Sequence, residues 1–471
     1  MPAVAVPDAT VVGWAVVVAV ATWHHDARGI FVLGGAACWL LVVVACAGRR
    51  GSGRDVVAMV VAVTVAAVLA VVAGTRADAA WDALAPDRLG AYTGWVRLVD
   101  DPAPTRSSTR VIVDVEGERY EMWVRGRAAQ QRVTTWRGGD WVTVSGTLER
   151  LDAQRARRVA WQHVVGELSP EWLGDVAPGG PVARAANSVR ATIERAATAI
   201  PEPHGALYRG LVIGDDREQP FDMIQRFRAS GLSHLTAVSG QNVAFLVAAC
   251  GPLLVRLRPW TRWACTLALI AWFVTLTRFE PSILRAGVMA GLTATAYLRG
   301  AERSTIRVLA LAVIGLVLVD PLLVWAIGFW LSVGATAGVC TVGPWLAGRL
   351  HRLGPLAVPL GVTLGAQAGI VVPSVLVFGR LPLVSVPANL LAVPVAGMVM
   401  LYGLPAGIVA GQFAASAPVL AAVVMAPATV GTRWVDLVAT LAARLEPAPP
   451  VSVLGWVVVA AVVVVVVRRA R

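Results

Sequence analysis

Blocks of about 20 consecutive apolar residues recur along this chain and constrain its fold more than any other feature, because that length crosses roughly 30 Å of hydrocarbon. Three blocks come first, at residues 3–23, 29–48 and 56–75, and a longer series fills residues 234–467. Apolar residues make up 57% of the chain and charged residues 15%, which excludes a wholly soluble protein. The sequence predicts a polytopic α-helical membrane protein with about 12 spans. Small-residue runs within the series, GATAG and GVTLG, predict closely packed helices.

Clusters of arginine predict how the chain is oriented. They lie in alternate loops near positions 50, 258, 303, 350 and 469, and the positive-inside rule assigns such loops to the cytoplasm. We therefore expect a multi-pass protein of the cytoplasmic (inner) membrane, with both termini in the cytoplasm and residues 76–206 extracytoplasmic. The expected domains are three N-terminal transmembrane helices (1–75), an exported domain (76–180), linker or interfacial helices (181–233) and a membrane domain (234–471).

Missing motifs exclude several kinds of chemistry. All 41 basic residues are arginine, so the sequence has no P-loop lysine and no Walker A site. The six histidines are scattered, without an HxHxDH motif, and the five cysteines lie in apolar blocks, where they suit a core better than a zinc site or a disulfide. We expect no cofactor, no metal and no catalytic site. The net charge of +12 is concentrated in the membrane half, where cytoplasmic loops account for most of it.

The exported segment has the alternating pattern of β structure. Five short runs, at residues 92–99, 109–115, 119–125, 140–148 and 158–164, predict a small β-barrel of the oligonucleotide-binding (OB) type. Arginines alternate with tryptophans after the third run, which suits phosphate and base contacts with a single strand. Core tryptophans and solvated arginines explain the same pattern equally well. The candidate DNA-binding residues are Trp123, Arg125, Arg127, Arg132, Trp136 and Arg137.

The most unusual stretch runs from residue 205 to 248, where polar residues continue directly into an apolar helix. Unpaired polar groups are costly at a membrane boundary, so they usually face a partner, water or a substrate. Gly231 and Gly240 permit a turn and a close helix approach, and Ser233 can cap the helix that begins near His234. The candidates for a path or entry site in this stretch are Asp215, Asp216, His234, Ser239, Gln241 and Asn242.

Further polar residues lie within or beside the later apolar blocks. Arg278, Glu280 and Arg285 either line a path for a polyanion or form an Arg–Glu pair that pins two helices. Gln367 and Asn389, close to prolines, either line a cavity or form interhelical hydrogen bonds. All five are therefore candidates for the same path.

Four spaced motifs resemble one known family. The run SGLSHLTAVSGQNVAFL resembles the signature of the ComEC family, the inner-membrane channel proteins of bacterial DNA uptake. Upstream, LVIGDD is similar to that family's Leu-Gly-Asp segment, and downstream RFEPSILRAGVMA and DPLLVWAIGFWLSVGATAG resemble its later helices. The resemblance extends over residues 205–400. It implies that single-stranded DNA passes inward through the membrane domain, and that the exported OB-like domain helps to receive it.

Two departures limit what the resemblance implies. Many relatives have a histidine where this chain has Asn242, so a role for an imidazole is not carried over. Many relatives also end in a metallo-β-lactamase-like domain that is thought to degrade the non-transported strand, and this sequence ends at Arg471 without its motif. We therefore expect a separate nuclease. The expected partners are single-stranded DNA, membrane lipid, a DNA receptor, that nuclease and a cytoplasmic helicase or strand-binding protein.

Three functions are compatible with these residues. The leading hypothesis is translocation of single-stranded DNA across the cytoplasmic membrane during natural competence, by a channel that performs no covalent chemistry. The alternative is a membrane-embedded small-solute or ion-coupled transporter or an enzyme, with Asp215, Asp216, His234 and Ser239 as its site. A purely structural envelope anchor would tolerate alanine at His234, Ser239 and Asn242.

Overall fold

The computed structural model describes residues 7–23, 53–236, 240–300, 304–379, 381–448, 451–452, 454–459 and 461. The predicted apolar block at 29–48 and Ser239 lie outside these residues. Two apolar helices come first, α1 at Asp8–Trp23 and α2 at Gly53–Asp82. Helix α2 continues past the predicted domain boundary at residue 75, because the alanine-rich sequence there favours a helix.

A six-stranded sheet follows α2, with the short helix α3 (Arg127–Thr134) between its fourth and fifth strands. The strand order is β1-β5-β6-β4-β3-β2; β4 and β6 are parallel, and the other pairs are antiparallel. Strand β1 also pairs with β3, at Arg97–Asp114 and Leu98–Val113. The strands are β1 Gly90–Leu98, β2 Ala103–Pro104, β3 Ser108–Val115, β4 Glu118–Arg125, β5 Trp141–Arg150 and β6 Val164–Ala177.

The sheet differs from the prediction in two respects. The predicted strand at 158–164 is wrong, because Ala153–Val159 forms helix α4 and β6 begins only at Val164. Asp152 caps α4 by accepting hydrogen bonds from the backbone N–H groups of Gln154 and Arg155. The predicted OB-type barrel is not confirmed, since β1 meets β3 over only two residue pairs of a six-stranded sheet.

Four helices connect the sheet to the membrane helices: α5 Pro181–Ala197, α6 His204–Ile213, α7 Phe221–Ala229 and α8 Ser233–Thr236. This segment, expected to be a linker, packs into the interior of the protein. Ile193 and Leu207 are fully buried, and the Tyr208 hydroxyl donates to the Gly403 carbonyl oxygen at 2.7 Å. The sheet is therefore joined to the membrane helices by a packed layer.

Eight longer helices follow in the described residues. Five of the described helices are long and apolar enough to span a membrane, and shorter apolar helices accompany them, which supports a helical membrane protein. The predicted count of 12 spans is not confirmed. The spanning candidates are Val57–Asp82, Ile327–Arg349, His351–Phe378, Ser385–Phe413 and Pro418–Leu445. The helices are α9 Gly240–Leu254, α10 Pro259–Leu276, α11 Pro281–Leu298, α12 Thr305–Val319, α13 Ile327–Arg349, α14 Ala357–Phe378, α15 Ser385–Phe413 and α16 Pro418–Leu445.

Both small-residue runs lie in closely packed helices, as predicted, and the structure shows that the helices carrying them pack against each other. A side chain at Gly338 in α13 would overlap the carbonyl oxygen of Gly365 in α14, and one at Gly334 would overlap that of Gly369. Such backbone contact is possible only between residues without side chains. The glycines therefore hold α13 and α14 together as a tight pair.

Candidate functional site

A network of buried charges joins the sheet to the membrane helices. Arg190 in α5 is 3% exposed and pairs with Asp101, which follows β1, at 2.8 Å. Its second terminal nitrogen, Nη1, donates to the carbonyl oxygens of Ile213 and Leu276, at 3.2 and 3.0 Å. Asp215, one of the predicted site residues, lies 3.9 Å from the same guanidinium. One arginine thus ties together the sheet, α5, α6 and α10.

A second arginine completes the environment of Asp215. Arg217 donates from Nε to Asp215 Oδ1 at 2.6 Å and from Nη2 to Oδ2 at 2.8 Å, a two-point contact. Arg217 also pairs with Glu194 at 3.1 Å, and Glu194 pairs with Arg137 of the sheet domain at 2.5 Å. Burial would raise the pKa of Asp215, but the hydrogen bond and charge of Arg217 lower it to about 2. Asp215 is therefore a fixed structural anion.

The predicted residue Arg278 belongs to the same network. It has a φ of 60°, and Phe279 has a φ of 57°, values that are uncommon for residues with bulky side chains. This left-handed turn ends α10, and the Arg278 guanidinium contacts Asp101 at 2.9 Å and the side-chain oxygen of Asn187 at 2.6 Å. The predicted pairing of Arg278 with Glu280 is thus replaced by a contact with the sheet domain.

Three carboxyl groups beside the network have raised pKa values. Burial and the charge of Asp101 raise the pKa of Asp100. Desolvation and the charge of Asp215 do the same for Asp216. Desolvation, with the charges of Asp100 and Asp216, raises the pKa of Glu280 to about 7. This group of acids titrates nearer neutrality than the paired Asp215.

Arg285 lies deeper among the membrane helices and has different partners. It is 5% exposed and donates from Nε and Nη2 to the Ser332 hydroxyl, at 3.0 and 2.7 Å. Its Nη1 lies 3.0 Å from the sulfur of Met289. It forms no ion pair with any described residue, so the predicted Arg–Glu pair is wrong for Arg285. The guanidinium adjoins Gly240, where an added Cβ would lie 2.9 Å from Nη2.

The stretch at 231–242 divides between exposed and buried positions. His234 and Gln241 are exposed, and the His234 ring nitrogen Nδ1 lies 3.2 Å from the Gly231 carbonyl oxygen. Asn242 is buried and donates to the Leu211 carbonyl oxygen at 3.3 Å. Asn242 therefore fastens α9 to α6. Ser239 lies outside the described residues.

Gln367 and Asn389 lie on the helices that face this stretch. Gln367 is 6% exposed and donates to the Ser385 hydroxyl at 3.0 Å, an interhelical hydrogen bond of the kind predicted as one of two alternatives. Ser385 in turn abuts Gly231, where a Cβ would lie 2.7 Å from that of Ser385. The Gln367 Oε1 and Asn389 Oδ1 atoms have no hydrogen-bond partner among the described residues.

The predicted DNA-binding residues do not form one surface. Trp136 is 1% exposed and lies in the core of the sheet domain, which corrects the prediction that it stacks on a base. Arg137 pairs with Glu194, and Trp123 is half-buried. Three of the predicted arginines are exposed. Arg125 ends β4 and Arg127 begins α3, whereas Arg132 in α3 donates to the carbonyl oxygens of Leu173 and Gly174, at 2.8 and 2.5 Å.

An exposed aromatic face was missed by sequence reasoning. Trp95, Trp141 and Trp172 are 46%, 40% and 56% exposed and lie on adjacent strands β1, β5 and β6. Trp95 is in register with Thr143, and the Trp172 ring covers Gly174 beside the same threonine. The spacing of Trp141 and Thr143 by two residues puts both on one face. Arg132 lies near Trp172, because it donates to the carbonyl oxygen of Gly174, on which the Trp172 ring packs.

Comparison with known proteins identifies the family. The family model described as Competence protein matches residues 211–470, more than half of the chain. The chain is 27% identical to ComE operon protein 3 of Bacillus subtilis (strain 168) over 220 residues, and 31% identical to competence protein ComA of Neisseria gonorrhoeae over 201 residues. These matches cover 46% and 40% of this chain.

The chain is also 28% identical to the uncharacterized protein YcaI of Escherichia coli (strain K12) over 211 residues, or 41% of its length. The matched regions represent only 28% of the length of each of these three relatives. No solved structure is significantly similar. The family model includes α9 and all later described helices, together with Asp215, Arg278 and Arg285. As its ComEC-like motifs indicated, the chain belongs to the competence protein family.

Proposed function

We propose that this chain translocates single-stranded DNA across the cytoplasmic membrane during natural competence, as a channel and not as an enzyme. The observation that carries the proposal is Arg285, a buried guanidinium among the membrane helices with only neutral contacts among the described residues. A buried unpaired charge is expensive and marks a substrate or ion path. A cation at this position suits a phosphate backbone.

The sheet domain supplies a surface that would receive the single strand before it reaches Arg285. The exposed rings of Trp95, Trp141 and Trp172 offer stacking faces for bases of any sequence. Arg132 lies near Trp172 and donates only to backbone carbonyl oxygens among the described residues, so its charge remains free for phosphate.

The orientation and partners follow from this role. We place the sheet domain outside the cytoplasm and the arginine-rich loops inside, with about 12 spans in all. Energy for transport comes from another component, such as a cytoplasmic helicase, because the chain has no P-loop lysine. A DNA receptor and a separate nuclease act before this channel.

Uptake of labelled DNA into a nuclease-resistant cytoplasmic fraction tests the proposal. In a competent host, deletion should abolish uptake and the wild-type gene should restore it. Arg285→Gln should lower uptake about tenfold or more, because a charge-assisted hydrogen bond is lost. Arg285→Lys should retain a larger share. Arg299→Gln, at an exposed helix end, is the control, and equal uptake by Arg285→Gln and wild type at equal membrane levels would contradict the proposal.

One observation favours the second candidate, an ion-coupled transporter. Glu280 has a pKa raised to about 7 by desolvation and by neighbouring carboxylates, and an acid that titrates near neutrality can carry a proton. Asp215 does not fit this role, since Arg217 holds it ionised. If Glu280→Gln abolishes uptake of a small solute while DNA uptake continues, the transporter is favoured.

A further inference from the structure

A cavity of about 640 Å³ lies where α2, the sheet domain and the corner between α12 and α13 meet. Its wall includes Arg76 and Ala80 of α2, Arg119 of β4, His163 before β6, and Asp320 after α12. Three separate parts of the chain therefore enclose it. Its lining shares no residue with the charge network or with the partners of Arg285.

The cations in the wall are less well neutralised than the acids. Arg76 donates to the Val319 carbonyl oxygen at 3.1 Å and Arg119 to that of Gln162 at 3.0 Å. Neither forms an ion pair with a described residue. Asp320, in contrast, already contacts the His163 ring at 3.0 Å and accepts from the backbone of Leu322.

Glu118, the other acid in the wall, also has hydrogen-bonding and charged partners. Glu118 accepts from the backbone N–H of Asp87 at 2.8 Å and from the Tyr120 hydroxyl at 2.9 Å, and it lies 3.8 Å from Arg88. The two lining guanidiniums therefore remain available to a further anion. Phosphate oxygens are the acceptors that arginine binds best.

Aromatic residues place the cavity at a membrane–water interface. Trp81 of α2 meets Trp325 edge-on at 5.5 Å between ring centroids, and Trp23 at the end of α1 stacks on Trp325 at 5.1 Å. Trp330 of α13 joins the same group, 6.5 Å from Trp23. Tryptophans concentrate at the level of the lipid headgroups. Arg76 is little more than one helical turn from Trp81 on the same helix.

An apolar track leads away from the cavity. Val68, Val72 and Arg76 are spaced by four residues on α2 and so share one face. Val68 and Val72 are 56% and 40% exposed, and Val319, beside Arg76, is 74% exposed. A surface with a cation at the interface and valines beneath it matches a lipid with a charged head and apolar chains.

We propose that this cavity binds the phosphate headgroup of an anionic phospholipid through Arg76 and Arg119, with its acyl chains along Val68 and Val72. The lipid joins a membrane helix to the sheet domain, because the two arginines belong to these two parts. The site is independent of DNA transport and does not rest on that function.

Native mass spectrometry of the full chain, purified in detergent with added phosphatidylglycerol, tests this site. The wild type should retain a lipid adduct. The double variant Arg76→Gln/Arg119→Gln should bind it about 30-fold more weakly, if each arginine contributes as basic residues do at anionic membranes. Arg299→Gln, an exposed arginine elsewhere at a helix end, should retain the adduct.

A second variant keeps both charges and removes the space. Ala80→Leu fills the wall of the cavity and should also lose the adduct, so the result does not depend on the folding of the double variant alone. Equal adducts in the wild type and both variants would overturn the site, as would an equal loss in Arg299→Gln. Displacement by inorganic phosphate or by a single-stranded oligonucleotide at the same concentration would overturn the assignment to lipid.

Discussion

Arg190 at the junction and Arg285 among the membrane helices are buried to nearly the same extent, 3% and 5% exposed, but their surroundings differ. Arg190 contacts Asp101 and lies near Asp215, and further arginines complete the charge balance around these acids. Arg285 contacts a hydroxyl and a thioether. The comparison teaches that paired charges join the sheet domain to the helices, whereas Arg285 has no acidic partner among the described residues.

The largest expected effect is the difference in stability between a variant that lacks Arg190 and one that lacks Arg285. Arg190→Met should destabilise the protein by about 3–5 kcal/mol, because it leaves Asp101 buried without its closest cation. Arg285→Met should leave the free energy of unfolding equal to that of the wild type or higher, since it removes an unpaired buried charge. Unfolding titrations in detergent measure both. Equal destabilisation by the two variants would break the comparison.

The dependence of stability on pH tests the role of Asp215, the acid that Arg217 and Arg190 neutralise. The pKa of Asp215 is lowered from 3.8 to about 2, so its ionised form stabilises the fold above pH 3.8. This contribution, about 2 kcal/mol, is lost as the pH falls from 3.8 toward 2. Unfolding measured against pH should show a larger loss in the wild type than in Asp215→Asn, in which the lowered pKa of Asp101 still contributes.

Glu280 should change the stability with pH in the opposite direction to Asp215. Its pKa is raised from 4.5 to about 7, so the folded state binds the proton more tightly, and stability declines as the pH rises between these values. Glu280→Gln should reduce the decline without changing the loss below pH 3.8, and Asp100 and Asp216, whose pKa values are also raised, account for the part that remains. An undiminished decline in Glu280→Gln would show that another group is responsible.

Another test compares two exposed tryptophans, one on the aromatic face of the sheet and one elsewhere in the chain. Trp172→Thr should weaken the binding of a single-stranded oligonucleotide to the purified chain about tenfold, because base stacking contributes about 1–3 kcal/mol. Its stability should change little, since the ring is 56% exposed. Trp260→Thr, 70% exposed at the start of α10, should bind as the wild type does. Equal weakening by both variants would count against the aromatic face.

The smallest expected effect separates two arginines of the sheet domain. Arg97 pairs with Asp114 at 3.2 Å, whereas Arg132 contacts only carbonyl oxygens. Arg132→Gln should lower the oligonucleotide affinity a few-fold and reduce the salt dependence by about 0.7 in log–log slope, as for one phosphate contact. Arg97→Gln should change the slope less. The reverse order would contradict the distinction between paired and unpaired charge.

Local patterns predicted much of the fold but only part of the site. Apolar runs predicted apolar membrane helices, and glycine spacing predicted close helix packing, because both patterns are local; that α13 packs on α14 depends on the tertiary fold. The strand predicted at 158–164 failed because the capping signal of Asp152 was not recognised. Buried charge pairs depend on the tertiary fold, so Arg190 in an amphipathic helix gave no local sign of its partners.

The aromatic residues illustrate the same limit. Trp136 lies among arginines in the sequence, but its ring enters the core. Trp95 and Trp172 are distant in sequence and meet only through the pairing of β1 and β6 with β5. Alternation along each strand predicts which face a residue occupies, but the strand order that assembles the face is not local.

Site-specific crosslinking tests most directly whether DNA passes Arg285. A photo-crosslinking amino acid in place of Ser332, which contacts Arg285, is compared with the same group in place of Gly315, an exposed position in α12 with open space around it. During uptake of labelled DNA, we predict a crosslink to DNA at 332, none at 315, and loss of the first in Arg285→Gln. Normal uptake without a crosslink at 332, or equal crosslinks at both positions, would contradict a path along Arg285.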